Sequence, residues 1–313
     1  MVKINGKALA EKVRQEAKEK LQSDKYKSIP APHLIVIQVG DDQASNLYIN
    51  NKKKACEEVG IKCSIYKYDE DITTETLKDV ISRLSLKPTV TGILIQLPLP
   101  EHIDERALID EIDPIKDVDG FSCVQAGMLQ LGIKDKHRLE PCTAKGIVRL
   151  LESVTTLEGK NVTVIGRSNI VGKPVAQLLQ EKNANVTLCH SRTKISDIER
   201  NTEKSDIIVL ATGKAKYFGA RYFIRRFHTD PKERFIIDAG INRDENGKLC
   251  GDLNVKDVND IRSSDIVHYT PVPGGVGPMT IAELIDNICI AYDAQFDNIW
   301  KYHQMKKMEK ENV

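Results

Sequence analysis

The chain has 313 residues, 41% hydrophobic and 29% charged, and its 46 basic and 45 acidic residues leave a formal net charge of +1. That length fits two domains of ordinary size, and the near-neutral balance excludes the strongly basic surface of a nucleic-acid binder, so any anion site must be local. No Pro/Gly/Ser tract reads as a disordered arm, and no apolar run approaches the roughly 18 residues that a membrane span requires.

The N-terminal stretch alternates charge with small apolar residues and predicts a helix from about Gly6 to Leu21. It lacks the apolar run of a secretory signal, so a cytoplasmic protein is expected. HLIVIQVG, beginning at His33, reads as a strand, SNLYINNKKKACEEVG as a helix, CSIYKYD as a strand and TETLKDVISRL as a helix. TGILIQL, ending at Leu97, completes three βα units, and these predict a parallel sheet with covering helices. After the polar segment GIKDKHRLEPCTAKG the alternation resumes with a helix near Ile147 to Ser153, NVTVIG, helical KPVAQLLQEK, NVTLCH, DIIVLATG and RFIIDAGIN. The final helix, PMTIAELIDNICIAYDAQFDNIW, is expected to pack back on the first half, and the tail KYHQMKKMEKENV to be a solvated helix end.

The seven cysteines are scattered without a CxxC pair or a histidine at metal-ligand spacing, so free thiols and no metal are expected. Two NVT triplets, at Asn161 and Asn185, match the glycosylation pattern but lie in apolar strand-like runs.

Gly166, Arg167, Ser168, Asn169, Ile170, Val171 and Gly172 lie between a buried-type strand and a helix, where glycines let a phosphate approach the amide hydrogens. The spacing is wider than GxGxxG, and an ordinary strand-to-helix turn is the competing reading. About twenty residues further on, a site for NAD places a carboxylate on the ribose, whereas a site for NADP prefers Arg and small hydroxyls. Here Cys189, His190, Ser191, Arg192 and Thr193 contain no carboxylate, so Arg167 with Ser191 or Arg192 is the candidate pair for a 2′-phosphate. A solvated Arg192 stays open as the alternative. Thr212 and Gly213 end the third strand of this half, and Gly240 and Ile241 follow the fourth, at the carboxyl ends where open α/β sheets bind ligands.

In the first half, Tyr48 and Lys52 are four apart and share a helix face, but Lys53 and Lys54 make a run and periodicity alone does not choose among the three. Gln96 closes an apolar strand whose following prolines forbid continuation. Asp117 to Gly120 read in isolation as a turn with an Asx cap.

Taken in order, SxxYxxxK from Ser45 to Lys52, QLPLP from Gln96, KDVDG from Lys116, Pro141-Cys142-Thr143, the Gly166 loop and PVPGGVGPMT from Pro271 form a series. It resembles the bifunctional methylenetetrahydrofolate dehydrogenase/methenyltetrahydrofolate cyclohydrolase family, from near residue 1 to about residue 298. The resemblance implies an α/β protein of two domains with a cleft between them: a folate-binding catalytic domain, 1–145 plus 278–313, and a Rossmann-like NADP-binding domain, 146–277. It also implies a homodimer acting on a folate, while the charge balance and the lack of a long apolar run leave no nucleic acid or membrane expected as partner. By the same resemblance Tyr48 stacks on the folate's aromatic ring, Lys52 is catalytic, Gln96 partners the lysine and Asp119 holds the pterin. Pro273, Gly274, Gly275 and Val276 border folate and cofactor.

Three departures stand out: Ala144 where the family usually has Pro, Leu253 after Gly251-Asp252 in place of Val, and a longer, more basic stretch around Arg221 to Arg234. A monofunctional dehydrogenase, NADP- or NAD-linked, is the first alternative, and Lys52 argues against it. A catalytically silent α/β binding protein is the second, and the joint presence of Tyr48, Lys52, Gln96 and Asp119 argues against that, because a fold alone does not require them.

Overall fold

The computed structural model describes residues 1–27, 29–223, 232–259 and 265–311, so residues 224–231 of the basic stretch and the last two residues of the tail lie outside the described residues. In chain order the elements are β1 (Val2–Lys3), α1 (Gly6–Gln22), β2 (His33–Val39), α2 (Gln43–Val59), β3 (Lys62–Tyr68), α3 (Thr74–Ser85), β4 (Gly92–Ile95), α4 (Glu105–Asp110), α5 (Cys123–Gln130) and α6 (Cys142–Glu152). There follow β5 (Asn161–Ile165), α7 (Gly172–Glu181), β6 (Asn185–Cys189), α8 (Ile195–Lys204), β7 (Ile207–Leu210), β8 (Glu233–Asp238), β9 (Asn242–Arg243), β10 (Leu249–Cys250), α9 (Val255–Asn259), β11 (Ile266–Tyr269) and α10 (Val276–Glu311). Among the described residues, no helix is long and apolar enough to cross a membrane.

Two compact units result: a first of Val13–Glu140 with Leu284–Val313, and a second of Met1–Lys12 with Pro141–Glu283. These bounds differ from the expected 145/146 and 277/278 divisions by a few residues, and the N-terminal segment falls with the second unit. The reason is strand pairing. Val2 and Lys3 run parallel to His268 and Tyr269, and the Ile4 amide donates to Tyr269 O at 2.8 Å.

In the first unit β3, β2 and β4 form a parallel sheet in that order. The four residues Leu34, Ile35, Val36 and Ile37 have no exposure, as expected of a strand covered on both faces. Leu77, Ile81 and Leu84 of α3 pack with Ile35, Ile37, Ile93 and Ile95. Helix starts are set by capping side chains: Asp42 accepts from the Ser45 amide, Thr73 from Thr76, Asp104 from Ala107 and Ser122 from Gln125. The last helix does return to this core. Gln295 Nε2 donates to Thr91 O at 2.8 Å, and Asp293 takes Lys20 and Lys25 at 2.6 and 3.1 Å.

In the second unit six strands form an all-parallel sheet in the order β1-β11-β8-β7-β5-β6, and β9 and β10 pair antiparallel as a separate two-stranded ribbon. The chain leaves β5 toward β6 on one side and returns to β7 on the other, which makes the carboxyl ends of β5 and β7 the switch point where such sheets open a crevice. The polar-looking stretch before Ile147 begins its helix earlier than expected, at Cys142, because Cys142, Ala144 and Gly146 are small residues buried in the unit. Ala144 is fully buried in the first turn of this helix, which forms directly after Pro141.

Candidate active site and cofactor loop

Burial decides what periodicity left open among the three lysines. Lys52 is 8% exposed, whereas Lys53 is half-buried beside Glu57 and Lys54 is exposed. Its Nζ donates to Gln96 Oε1 at 3.2 Å. The strand β4 ends one residue before Gln96, whose amide still continues the ladder by donating to Ile37 O at 2.8 Å. Gln96 Nε2 donates to Leu97 O at 2.7 Å, and that bond assigns the amide so that its oxygen faces the lysine. Tyr48, one turn before Lys52 on α2, is half-buried, and burial pushes its phenol above the ordinary range.

The KDVDG segment is held from inside. Lys116 is buried with its amine donating to Ser85 O at 2.6 Å and Lys87 O at 2.7 Å, and desolvation lowers its pKa. Asp117, 1% exposed, accepts from the Gly120 amide at 3.1 Å and the Ser122 amide at 2.7 Å, and burial raises its carboxyl above the usual range despite these donors. A bridge between Ile93 and Asp117 lays the segment parallel to β4. Asp119 is half-buried and lines a small cleft with Ile95, Leu97 and Phe121. An amine held by an amide, together with a carboxylate on an apolar wall, can move a proton and receive the N–H groups of a flat heterocycle.

The second unit places the glycine loop at its switch point. A Cβ on Gly166, whose φ is +133°, would stand 2.1 Å from Ala211 O, and one on Gly172 would stand 2.0 Å from Gly166 O. Both positions demand glycine, and the loop they permit brings the α7 N-terminus close to the strand ends. Ser168 Oγ accepts from the Val171 amide at 3.2 Å. Arg167, Ser168, Ser191 and Arg192 are exposed, and the Arg192 amide donates to His190 Nδ1 at 3.2 Å. The tight glycine turn, the exposed arginines and the lack of a carboxylate from His190 to Thr193 fit a dinucleotide carrying a 2′-phosphate.

Two carboxylates that the sequence reading left unassigned organise the neighbouring loops. Asp252 accepts from the amides of Thr212, Gly213 and Lys214 at 2.7, 3.2 and 2.9 Å, from Thr212 Oγ1 at 2.8 Å and from Asn242 Nδ2 at 2.9 Å. Asp238 accepts from the amides of Gly240, Asp252 and Leu253 at 2.9, 3.0 and 2.9 Å, and burial pushes its pKa up to about 6. So Thr212, Gly213 and Gly240 are pinned by one network, with Ile241 exposed beside it. Leu253 is buried against the β7 and β8 core, where it takes the place of the usual valine. An acid closing an apolar strand, as in IIDAG, was the available signal. In the PVPGG loop Gly274 has φ +108° and its carbonyl accepts from the Lys7 amide at 3.1 Å, while Gly275 lies tight against Thr270 and Val276 is buried at the start of α10. Pro273 precedes them in the same loop.

Two family models match the chain: the catalytic domain of tetrahydrofolate dehydrogenase/cyclohydrolase over residues 4–119, and the NAD(P)-binding domain of the same family over residues 141–296. The bifunctional protein FolD of Brevibacillus brevis is 46% identical over 93% of this chain and 97% of its own. The bifunctional FolD methylenetetrahydrofolate dehydrogenase/cyclohydrolase of Campylobacter jejuni superposes with a TM-score of 0.85 at 40% identity, covering 94% of this chain and 99% of that one. The methylenetetrahydrofolate dehydrogenase-cyclohydrolase of Trypanosoma brucei, solved with NADP and an inhibitor, gives 0.84 at 32% identity over 94% of this chain and 98% of that one.

Proposed function

The chain belongs to the tetrahydrofolate dehydrogenase/cyclohydrolase family, and we propose that Lys52, Gln96, Tyr48 and Asp119 carry its folate chemistry while the Gly166–Gly172 turn and the loops at Ser191, Thr212 and Gly240 hold its cofactor. The enzyme oxidises methylenetetrahydrofolate to methenyltetrahydrofolate with NADP and hydrolyses that product to formyltetrahydrofolate. NADP, when bound, supplies the hydride acceptor. The missing carboxylate after β6 supports NADP over NAD, as does the NADP complex of the trypanosomal relative.

In the oxidation the protein's part is placement, because the methenyl cation is stabilised by the substrate's own two nitrogens. Tyr48 offers a flat, half-buried face for an aromatic ring, and Asp119 accepts N–H groups of the pterin. In the hydrolysis, water adds to the methenyl carbon, a carbon–nitrogen bond breaks and the departing nitrogen takes a proton. Lys52 Nζ is the group that holds or moves that proton, and Gln96 fixes its direction. The observation that carries this assignment is a buried lysine donating to Gln96. We further propose a homodimer, to be read from sedimentation of the purified chain. The direct assay mixes protein with methylenetetrahydrofolate and either NADP or NAD, following reduced cofactor and methenyl absorbance separately. Fast NADP reduction without methenyl accumulation is expected, and reduction with neither cofactor would defeat the proposal.

A further inference from the structure

Asn287 lies on α10, far along the chain from the folate motifs, and has no exposure. Its Nδ2 group donates to two backbone carbonyls from separate segments, Val118 O at 2.9 Å and Glu140 O at 2.7 Å. An amide of this kind has two N–H donors, and here both are directed at main chain rather than solvent. Val118 is the residue immediately before Asp119 and is itself fully buried. The Val118–Asp119 peptide is therefore fixed by its carbonyl from one side. From the other side, Asp117 holds the amides of Gly120 and Ser122 at 3.1 and 2.7 Å, so the two residues grip the turn before and after Asp119.

From this we infer that Asn287 is a positioning residue for Asp119: it sets where the pterin-binding carboxylate stands, and so tunes folate recognition from the C-terminal helix. The inference rests on the reading of Asp119 as the pterin ligand. A brace that served stability alone would lower the melting temperature and leave the kinetic constants of the folded enzyme unchanged. A brace that aims Asp119 acts selectively on the folate.

The test compares Asn287→Ser, Asn287→Leu, Asp119→Asn and the double variant Asn287→Ser/Asp119→Asn, each checked for folding by thermal melting. Leucine removes both donors. Serine keeps one short donor and serves if the leucine variant does not fold. The expected result for Asn287→Ser is a rise of about tenfold in KM for methylenetetrahydrofolate with KM for NADP within about twofold of the parent, since displacement of a binding group by a fraction of an ångström is costly. Because Asn287 acts through Asp119, the double variant should lose no more than Asp119→Asn alone. An unchanged folate KM in Asn287→Ser, or effects that multiply in the double variant, would overturn the inference while leaving Asp119 in place. An unchanged folate KM in Asp119→Asn would instead overturn the reading of Asp119, and the inference with it.

Discussion

Lys52 on α2 and Gln96 just past β4 are joined by a 3.2 Å hydrogen bond between Nζ and Oε1, although 44 residues separate them. The parallel pairing of β2 with β4 brings this about, since Gln96 continues the ladder on Ile37 while α2 follows β2 directly. The bond orients an amine that burial has already taken from bulk water.

Replacing Gln96 with Leu keeps the volume but removes the acceptor. Lys52 then keeps its burial and loses its direction, and hydrolysis of methenyltetrahydrofolate is expected to fall by about ten- to a hundredfold, less than the roughly hundred- to ten-thousandfold contribution of a general acid–base group because the lysine itself remains. Oxidation of the methylene substrate should fall less. Stopped-flow traces at the methenyl and reduced-cofactor wavelengths separate the two, and equal losses in both would count against this division of labour.

Arg167 in the glycine turn and Arg192 just past β6 are both exposed, and they are the candidate partners of the 2′-phosphate. Charge-assisted hydrogen bonds are worth about 1.5–3 kcal/mol, so Arg167→Ala or Arg192→Ala should raise KM for NADP by at least about tenfold. KM for NAD, which has no 2′-phosphate, should stay within about twofold. Parallel changes for both cofactors would show that the arginine does not read the phosphate.

Gly172→Ala puts a methyl 2.0 Å from Gly166 O, a backbone atom that cannot rotate away. The loop must open, which is expected to cost at least about 2 kcal/mol and several degrees of melting temperature, and to abolish detectable NADP binding. Thermal melting with and without NADP reads both effects, and an undiminished NADP-induced shift would contradict the assigned loop.

Asp238 predicts a pH dependence of stability. Its folded pKa of about 6 lies above the ordinary 3.8, so folding favours the protonated acid. The associated stability is complete below pH 3.8 and is lost as pH rises through about 6, up to about 3 kcal/mol at most. Asp110 works in the opposite sense: Arg106 holds its pKa down to about 2, so its contribution is present above pH 3.8 and lost toward 2. That pair is solvent-exposed and worth less than about 1 kcal/mol. Denaturant midpoints from pH 4 to 7 should decline in the parent relative to Asp238→Asn, whose profile is flatter though lower. Matching slopes would remove Asp238 as the cause.

Much of this fold was legible because the two larger sheets are parallel and their inner strands are buried, so those strands read as continuous apolar runs such as LIVI and IIVL. The two- to four-residue strands β1, β9, β10 and β11 left no such run, and the placement of Met1–Lys12 with the second unit depends on one of them. At the site, the helical face shared by Tyr48 and Lys52 was visible, and the SxxYxxxK register pointed to Lys52, but periodicity did not separate it from Lys53 and Lys54 as burial does. Asp252 and Asn287 were beyond reach for another reason. Their roles lie in hydrogen bonds to main-chain atoms of distant segments, and no local pattern encodes such partners.

The most direct test supplies methenyltetrahydrofolate to purified Lys52→Met and follows its absorbance against the parent enzyme and buffer, with melting and NADP binding confirming that the variant is folded. Lys52 as the proton-handling group predicts decay no faster than in buffer. Decay at the parent rate would contradict the assignment of the hydrolysis to Lys52 and Gln96.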